Sequence, residues 1–140
     1  MIVVLDTNAL IQIFGQASPF ASIREALRQG RLELAVSTPI LLEYEEVILR
    51  SADRARWEDV WSFLKLIDLL HGTIHRIGPS YRFHTITGDP DDDAFADCAI
   101  AAGADCLITS DRHFNALVTA GYKPQPITPE EFIRRHLGGA

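Results

Sequence analysis

Aspartate crowds the stretch GDPDDDAFADCAIAAGADCLITSD, residues 88–111, which otherwise reads as a buried helix followed by a strand. Asp91, Asp92, Asp93 and Asp97 open an Ala-rich helix, and Asp111 stands two residues past the apolar run CLIT. Far upstream, Asp6 closes the apolar run IVVL, and Glu43 sits within LLEYEEV. Carboxylates brought to one spot cannot all stay ionised without a counter-charge. A hard divalent cation is the usual solution, and oxygen-only ligation points to Mg²⁺ or Mn²⁺ rather than Zn²⁺. Such an ion keeps several waters, activates one as a nucleophile and steadies a phosphate, which is the logic of metal-assisted phosphodiester hydrolysis.

Helix capping explains part of the pattern. Asp91 and Asp92 read as helix-start acids favoured by the helix dipole. Asp93 shares that first turn, and Asp97, four residues on, falls on the same helix face. Phe95, Cys98 and Ile100 mark this helix as buried, and a lone carboxylate there needs a partner because burying an unpaired charge is costly. Asp6 is the strongest single signal, a carboxylate ending a fully apolar strand; a buried structural cap is its competing reading. Glu43 draws its weight from position, since LLEYEEV holds further glutamates and Leu41 and Leu42 leave its orientation open.

The elements that must position these groups alternate. IVVL (2–5) has the β-branched, uniformly apolar character of a strand buried on both faces. TNALIQIF turns helical, and SPFASIREALRQG reads as a second helix, started at Ser18-Pro19 and stopped by Gly30. LELAVS (32–37) is the next strand. TPILLEYEEVILR is the next helix, with Thr38 as N-cap and Pro39 at its first position. RWEDVWSFLKLIDLLHG carries Trp57, Val60, Trp61, Leu64 and Ile67 at helical spacing and ends at Gly72. TIHRIG is a strand, SYRFHTITGDP a loop, and helix runs from Asp91 to about Ala102, stopped by Gly103. CLIT (106–109) is a strand, DRHFNALVTAG a helix, QPIT a last short strand, and PEEFIRRHL a closing helix capped by Thr128. Strand–helix alternation implies a parallel sheet covered on both faces, whose ligands bind beyond the carboxyl ends of the strands. That rule brings Asp6, Glu43, Asp93 and Asp111 to one edge.

At 140 residues, 47% of them hydrophobic, the chain fits one globular domain spanning 1–140. The apolar start MIVVLDTNAL lacks a basic leader and is broken by Asp6, so no signal peptide is expected, and no apolar run nears the roughly 20 residues of a membrane span. The cytoplasm is the expected location. Cys98 and Cys106, without a Cys/His cluster around them, read as buried thiols rather than a zinc site. The formal charge of −6 weighs against a polyanionic partner, but setting aside five candidate ligands leaves 14 acids against 13 basic residues. Nucleic acid therefore stays open as a partner.

The ordered motifs resemble those of PIN-domain ribonucleases of the VapC-like type, found in toxin–antitoxin pairs. VVLDTNALI is similar to the family's first motif, STPILLEYEEVI to its second, and DPDDDAFADCAIAAGADCLITSDRHF to its combined third and fourth. The resemblance implies a three-layer α/β/α PIN-like fold with a central parallel sheet. It also implies a Mg²⁺- or Mn²⁺-dependent endoribonuclease site built from Asp6, Glu43, Asp93 and Asp111, with Asp97 as an additional acid. Asn8 and Thr109 would support ligands or phosphate by hydrogen bonding. RNA is the implied substrate, a cognate antitoxin protein the implied partner, and a homodimer the implied assembly. The middle of the chain, Ser51 to Thr87, is longer than in the small toxins.

Two other readings compete. A phosphoacceptor receiver-like domain is also doubly wound and acidic at one strand edge, but leaves Glu43 without a role. A PIN fold could also bind RNA without cutting it, although all the family's main acids are present. No P-loop, dinucleotide fingerprint or nucleophile elbow is found. His71 and His75 straddle Gly72 and make a poor metal pair. His113 beside Asp111 reads as a solvated residue or a substrate contact. Arg50, Arg54 and Arg56 could grip phosphates or form a solvated basic face.

Overall fold

The structure, a computed structural model, describes residues 1–78, 90–121 and 123–138, without the side chains of 90–93, 116 and 119. Its strands are β1 (Ile2–Leu5), β2 (Glu33–Val36), β3 (Ile74–Arg76), β4 (Cys106–Ile108) and β5 (Gln125–Ile127). They form one parallel sheet in the order β3-β2-β1-β4-β5. Val3 is in register with Leu34 on one side and Cys106 on the other. Val3, Val4, Leu5, Leu34, Ala35, Leu107 and Ile108 are fully buried, so helices cover both faces, as the unbroken apolar runs require. This is the expected α/β/α architecture around a central parallel sheet.

The helices are α1 (Thr7–Ile13), α2 (Ala21–Arg28), α3 (Thr38–Ser51), α4 (Arg54–His71), α5 (Pro90–Ala102), α6 (Ala116–Ala120) and α7 (Pro129–His136). α4 buries Trp57, Val60, Leu64 and Ile67 and ends at Gly72, whose φ of 64° supplies the left-handed turn that stops the helix. Thr128 caps α7 by accepting from the Glu131 amide at 3.2 Å. Cys98 and Cys106 are free and buried, as expected. Burial pushes the Cys98 thiol up to about 12, which makes it inert at neutral pH.

Three local expectations need correction. The N-cap of α3 is Ser37, not Thr38: Ser37 has the extended backbone, and its hydroxyl accepts from the Ile40 amide at 3.4 Å. α2 begins at Ala21 after Phe20, so Ser18-Pro19 belongs to the preceding turn. DRHFNALVTAG is not one helix but a 3₁₀ turn, Arg112–Asn115, followed by α6. The cause is local: the Asp111 carboxylate accepts from the His113 amide at 2.9 Å, and this tie tightens the first turn. The loop expected over SYRFHTITGDP lies, up to residue 89, outside the described residues. Among the described residues, no helix is long and apolar enough to cross a membrane.

Candidate active site

The order β2-β1-β4 puts the ends of three strands side by side, and the acids follow from that order. Asp6 continues the ladder past β1, its amide donating to the Ile108 carbonyl at 3.2 Å. Its side chain is 6% exposed and doubly held. One carboxylate oxygen accepts from the Ala9 amide at 2.8 Å, which caps α1. The other accepts from the hydroxyl of Thr109, which is 3% exposed at the end of β4. Asp6 is thus both the structural cap and the acid at the strand end; the two readings do not compete.

Thr109 also organises Asp111. Its hydroxyl oxygen accepts from the Asp111 amide at 2.9 Å while its proton goes to Asp6. One side chain thereby fixes the spacing of two carboxylates. His113 Nδ1 lies 3.3 Å from an Asp111 carboxylate oxygen, on a largely exposed ring.

Glu43 faces the same place. The hydroxyl of Thr7, the residue after Asp6, donates to its carboxylate across 36 residues. That bond settles the orientation that sequence left open, while Glu46 points away and pairs with Arg50 at 3.7 Å. Beneath the site, the buried Tyr44 hydroxyl donates to the Leu5 carbonyl at 2.6 Å, bracing α3 against β1. Burial holds the Tyr44 phenol far above its ordinary pKa, and the nearby Asp6 and Glu43 carboxylates push the same way. Both carboxylates therefore lie within electrostatic reach of one ring.

Asp97 is buried on α5. Its neighbour Phe95 lies 6.2 Å from the Tyr44 ring, and its neighbour Cys98 meets Ser37 at the end of β2. α5 packs beneath the strand ends, its Phe95 also lying 6.4 Å from the Phe114 ring in the turn after Asp111. Asp93 lies one turn earlier on α5; its side chain, like those of Asp91 and Asp92, is outside the described residues. Asn8 is exposed and lines an open groove of about 370 Å³ with Asp6, Ile11, Gln12, Ser110 and Asp111. His71 and His75 do not meet: His71 contacts the Arg28 carbonyl at 2.9 Å and His75 the Glu33 carboxylate at 2.8 Å.

Burial raises the pKa of Asp6, as does the charge of Asp111, against the downward pull of the Thr109 and Ala9 hydrogen bonds. A buried carboxylate repelled by a second one is what a cation relieves. Among the described residues, no three acid, histidine or cysteine side chains stand close enough to enclose one ion. The donors that Asp6 and Asp111 present are all oxygen, the type that a hard divalent cation such as Mg²⁺ or Mn²⁺ would take. Sequence reasoning missed Thr7 and Tyr44. Thr7 stood beside Asp6 and Tyr44 beside Glu43, but only tertiary packing shows what their hydroxyls do.

The PIN domain sequence profile matches residues 2–113, and the chain belongs to that family. Its fold is similar to VapBC2 from Rickettsia felis, solved bound to a DNA fragment from its promoter, with TM-score 0.58 and 16% identity over 91% of this chain and 98% of that one. It is also similar to VapBC-1 from nontypeable Haemophilus influenzae, with TM-score 0.56 and 19% identity over 92% and 98%. The T. brucei RRP44 PIN domain gives TM-score 0.53 and 11% identity over 99% and 79%. At such identities these likenesses speak to the fold alone. No curated protein sequence matches the chain. The family match sets aside the receiver-like alternative.

Proposed function

We propose that the chain is a Mg²⁺- or Mn²⁺-dependent endoribonuclease and the toxin of a toxin–antitoxin pair. The observation that carries this reading is the pairing of Asp6 and Asp111 through Thr109, with Glu43 turned toward them by Thr7. Asp93, whose side chain lies outside the described residues, would complete the ligand set with Asp6, Glu43, Asp97 and Asp111, which do not by themselves stand close enough to enclose an ion. When bound, it offsets their repulsion, lowers the pKa of water and stabilises charge developing on the scissile phosphate. Thr109 and Thr7 keep the carboxylates aimed, and Asn8, which lines the groove, would donate to a phosphate oxygen. The fully buried strands beneath Asp6 keep bulk water from that side of the site.

A protein partner is supported by the likeness to the VapBC structures and by an apolar surface. A groove of about 260 Å³ between α3, α4 and β3 is lined by Val36, Leu41, Trp61, Leu64 and Leu69, among others. Leu69 is 83% exposed at its rim, where an antitoxin segment or a second copy could cover it. The decisive experiment incubates the purified protein with mixed RNA in Mg²⁺, Mn²⁺ or EDTA. Cleavage restricted to the divalent ions is expected. Full cleavage by metal-free protein would overturn the mechanism, and no cleavage under any condition would leave an RNA-binding PIN domain that does not cut.

A further inference from the structure

Two open cavities lie at opposite ends of α1. The first is the acidic groove at its N-terminal end, lined by Asp6, Asn8, Ile11 and Gln12. The second, of about 510 Å³, opens just beyond its C-terminal end, where Phe14, Gly15 and Gln16 meet Arg24 of α2 and Arg56 of α4. Asn8, Ile11 and Gln12 recur at helical spacing along a partly exposed strip of α1, whose far end is three residues from Gly15 in the lining of the second cavity. α1 has seven residues, which makes the strip about 10 Å long at 1.5 Å per residue.

The arginines are pre-positioned at its far end. The Arg24 guanidinium carbon lies 5.9 Å from the Phe14 ring centroid, and Arg56 Nη1 donates to the Phe14 carbonyl at 3.0 Å. A guanidinium has five N–H donors, so a single such contact leaves several for another acceptor. Asp53 and Asp59 share the wall, and Asp53 is committed to capping α4 by accepting from the Arg56 amide at 2.8 Å. That mixed lining suits a passing contact with a polymer better than a stored anion.

We infer that this strip is a track for a single-stranded RNA backbone, with Arg24 and Arg56 gripping a phosphate roughly three stacked nucleotides from the scissile bond. The inference rests on the nuclease reading and adds the path of the substrate to it. Cleavage sets the cut at the acids; the arginines set how much strand must be present for the protein to hold it. A trinucleotide that fills only the acidic groove is therefore a poorer substrate than a longer RNA, chiefly through KM.

The test measures binding of a fluorescent single-stranded RNA by anisotropy at several salt concentrations, in the Asp6→Asn background so that cleavage is removed. Arg24→Ala and Arg56→Ala should each weaken binding several-fold and lower the salt slope by about 0.7, the loss of one phosphate contact on a single strand. Arg24→Lys and Arg56→Lys should keep most of the slope, which a purely structural latch has no reason to do. Because Arg56 also ties α4 to the end of α1, Gln16→Glu gives a second probe: it adds a negative charge to the cavity without removing either arginine. Unchanged affinity and slope in all these variants, with wild-type cleavage intact, would overturn the track and leave the nuclease standing. A wild-type protein that neither binds nor cuts RNA would remove the nuclease reading and the track with it.

Discussion

Asp6 caps α1 and at the same time faces Asp111, and the two roles make different demands on its charge. Burial and Asp111 raise its pKa above the ordinary carboxylate value. A raised carboxylate binds its proton more tightly in the folded state, so its contribution to stability is present in acid and is lost as pH climbs through the folded value. In EDTA, Asp6→Asn should therefore be more stable than the parent at neutral pH, with the gap closing below about pH 4, where Asp6 is protonated in both states. Asparagine can still accept from the Ala9 amide, so the cap survives the substitution. Urea midpoints measured across pH test this; equal midpoints at neutral pH would contradict it. The same substitution should lower RNA cleavage by more than about 100-fold, since even residues that only orient metal ligands are worth 10–100-fold. Thr109→Val leaves a buried Asp6 oxygen without its donor and should cost about 1–3 kcal/mol. It should also carry the Asp6 titration to still higher pH, whereas Thr109→Ser should do neither.

At the scale of elements, the site depends on how α3 and α5 approach the sheet. Tyr44→Phe removes the hydroxyl that ties α3 to the Leu5 carbonyl and should cost about 1–3 kcal/mol in the denaturant midpoint, while reducing cleavage by loosening Glu43. Glycine gives a contrast in the supporting helices. Gly30 and Gly72 both have positive φ, but a Cβ on Gly30 would meet the His71 ring at 2.8 Å, whereas one on Gly72 meets nothing within 4 Å. His71 is exposed, so swinging it away costs the hydrogen bond it makes to the Arg28 carbonyl. Gly72→Ala should cost only the left-handed backbone strain of about 1–2 kcal/mol, and Gly30→Ala clearly more; adding His71→Ala should recover part of the difference. Much of this framework was legible in the sequence, because unbroken apolar runs and helix-stopping glycines are local signals. The errors were also local in kind. Ser37 and Thr38 are adjacent hydroxyls, either of which can cap, and only the backbone chooses. The tie from Asp111 to the His113 amide is invisible to periodicity. Glu43 could be nominated from its position, but its direction came from Thr7, a partner 36 residues away.

For the whole molecule, the crowded acids make stability conditional on what surrounds them. On the metal-dependent reading, saturating Mg²⁺ or Mn²⁺ should raise the melting temperature of the parent, with about 2.7 kcal/mol gained at a hundredfold excess over Kd, and should barely move Asp6→Asn. A melting curve indifferent to both ions would count against a metal at this edge. If the protein is a toxin, its induction should arrest growth of a host cell and Asp6→Asn should relieve the arrest. Normal growth with soluble, active enzyme present would discard the toxin role and keep the nuclease.

The sheet order has one more consequence, for the time when the protein is being made. β1 precedes the other described strands in the chain but lies at the centre of the sheet, and its neighbour β4 follows β2 and β3. Thr109 follows Asp6 by 103 residues, a delay of roughly 5–20 s at ordinary elongation speeds. Until β4 docks, Asp6 has neither its hydroxyl partner nor Asp111 beside it. A nascent chain of this protein therefore carries an incomplete set of acids until Thr109 and Asp111 have emerged and β4 has docked beside β1.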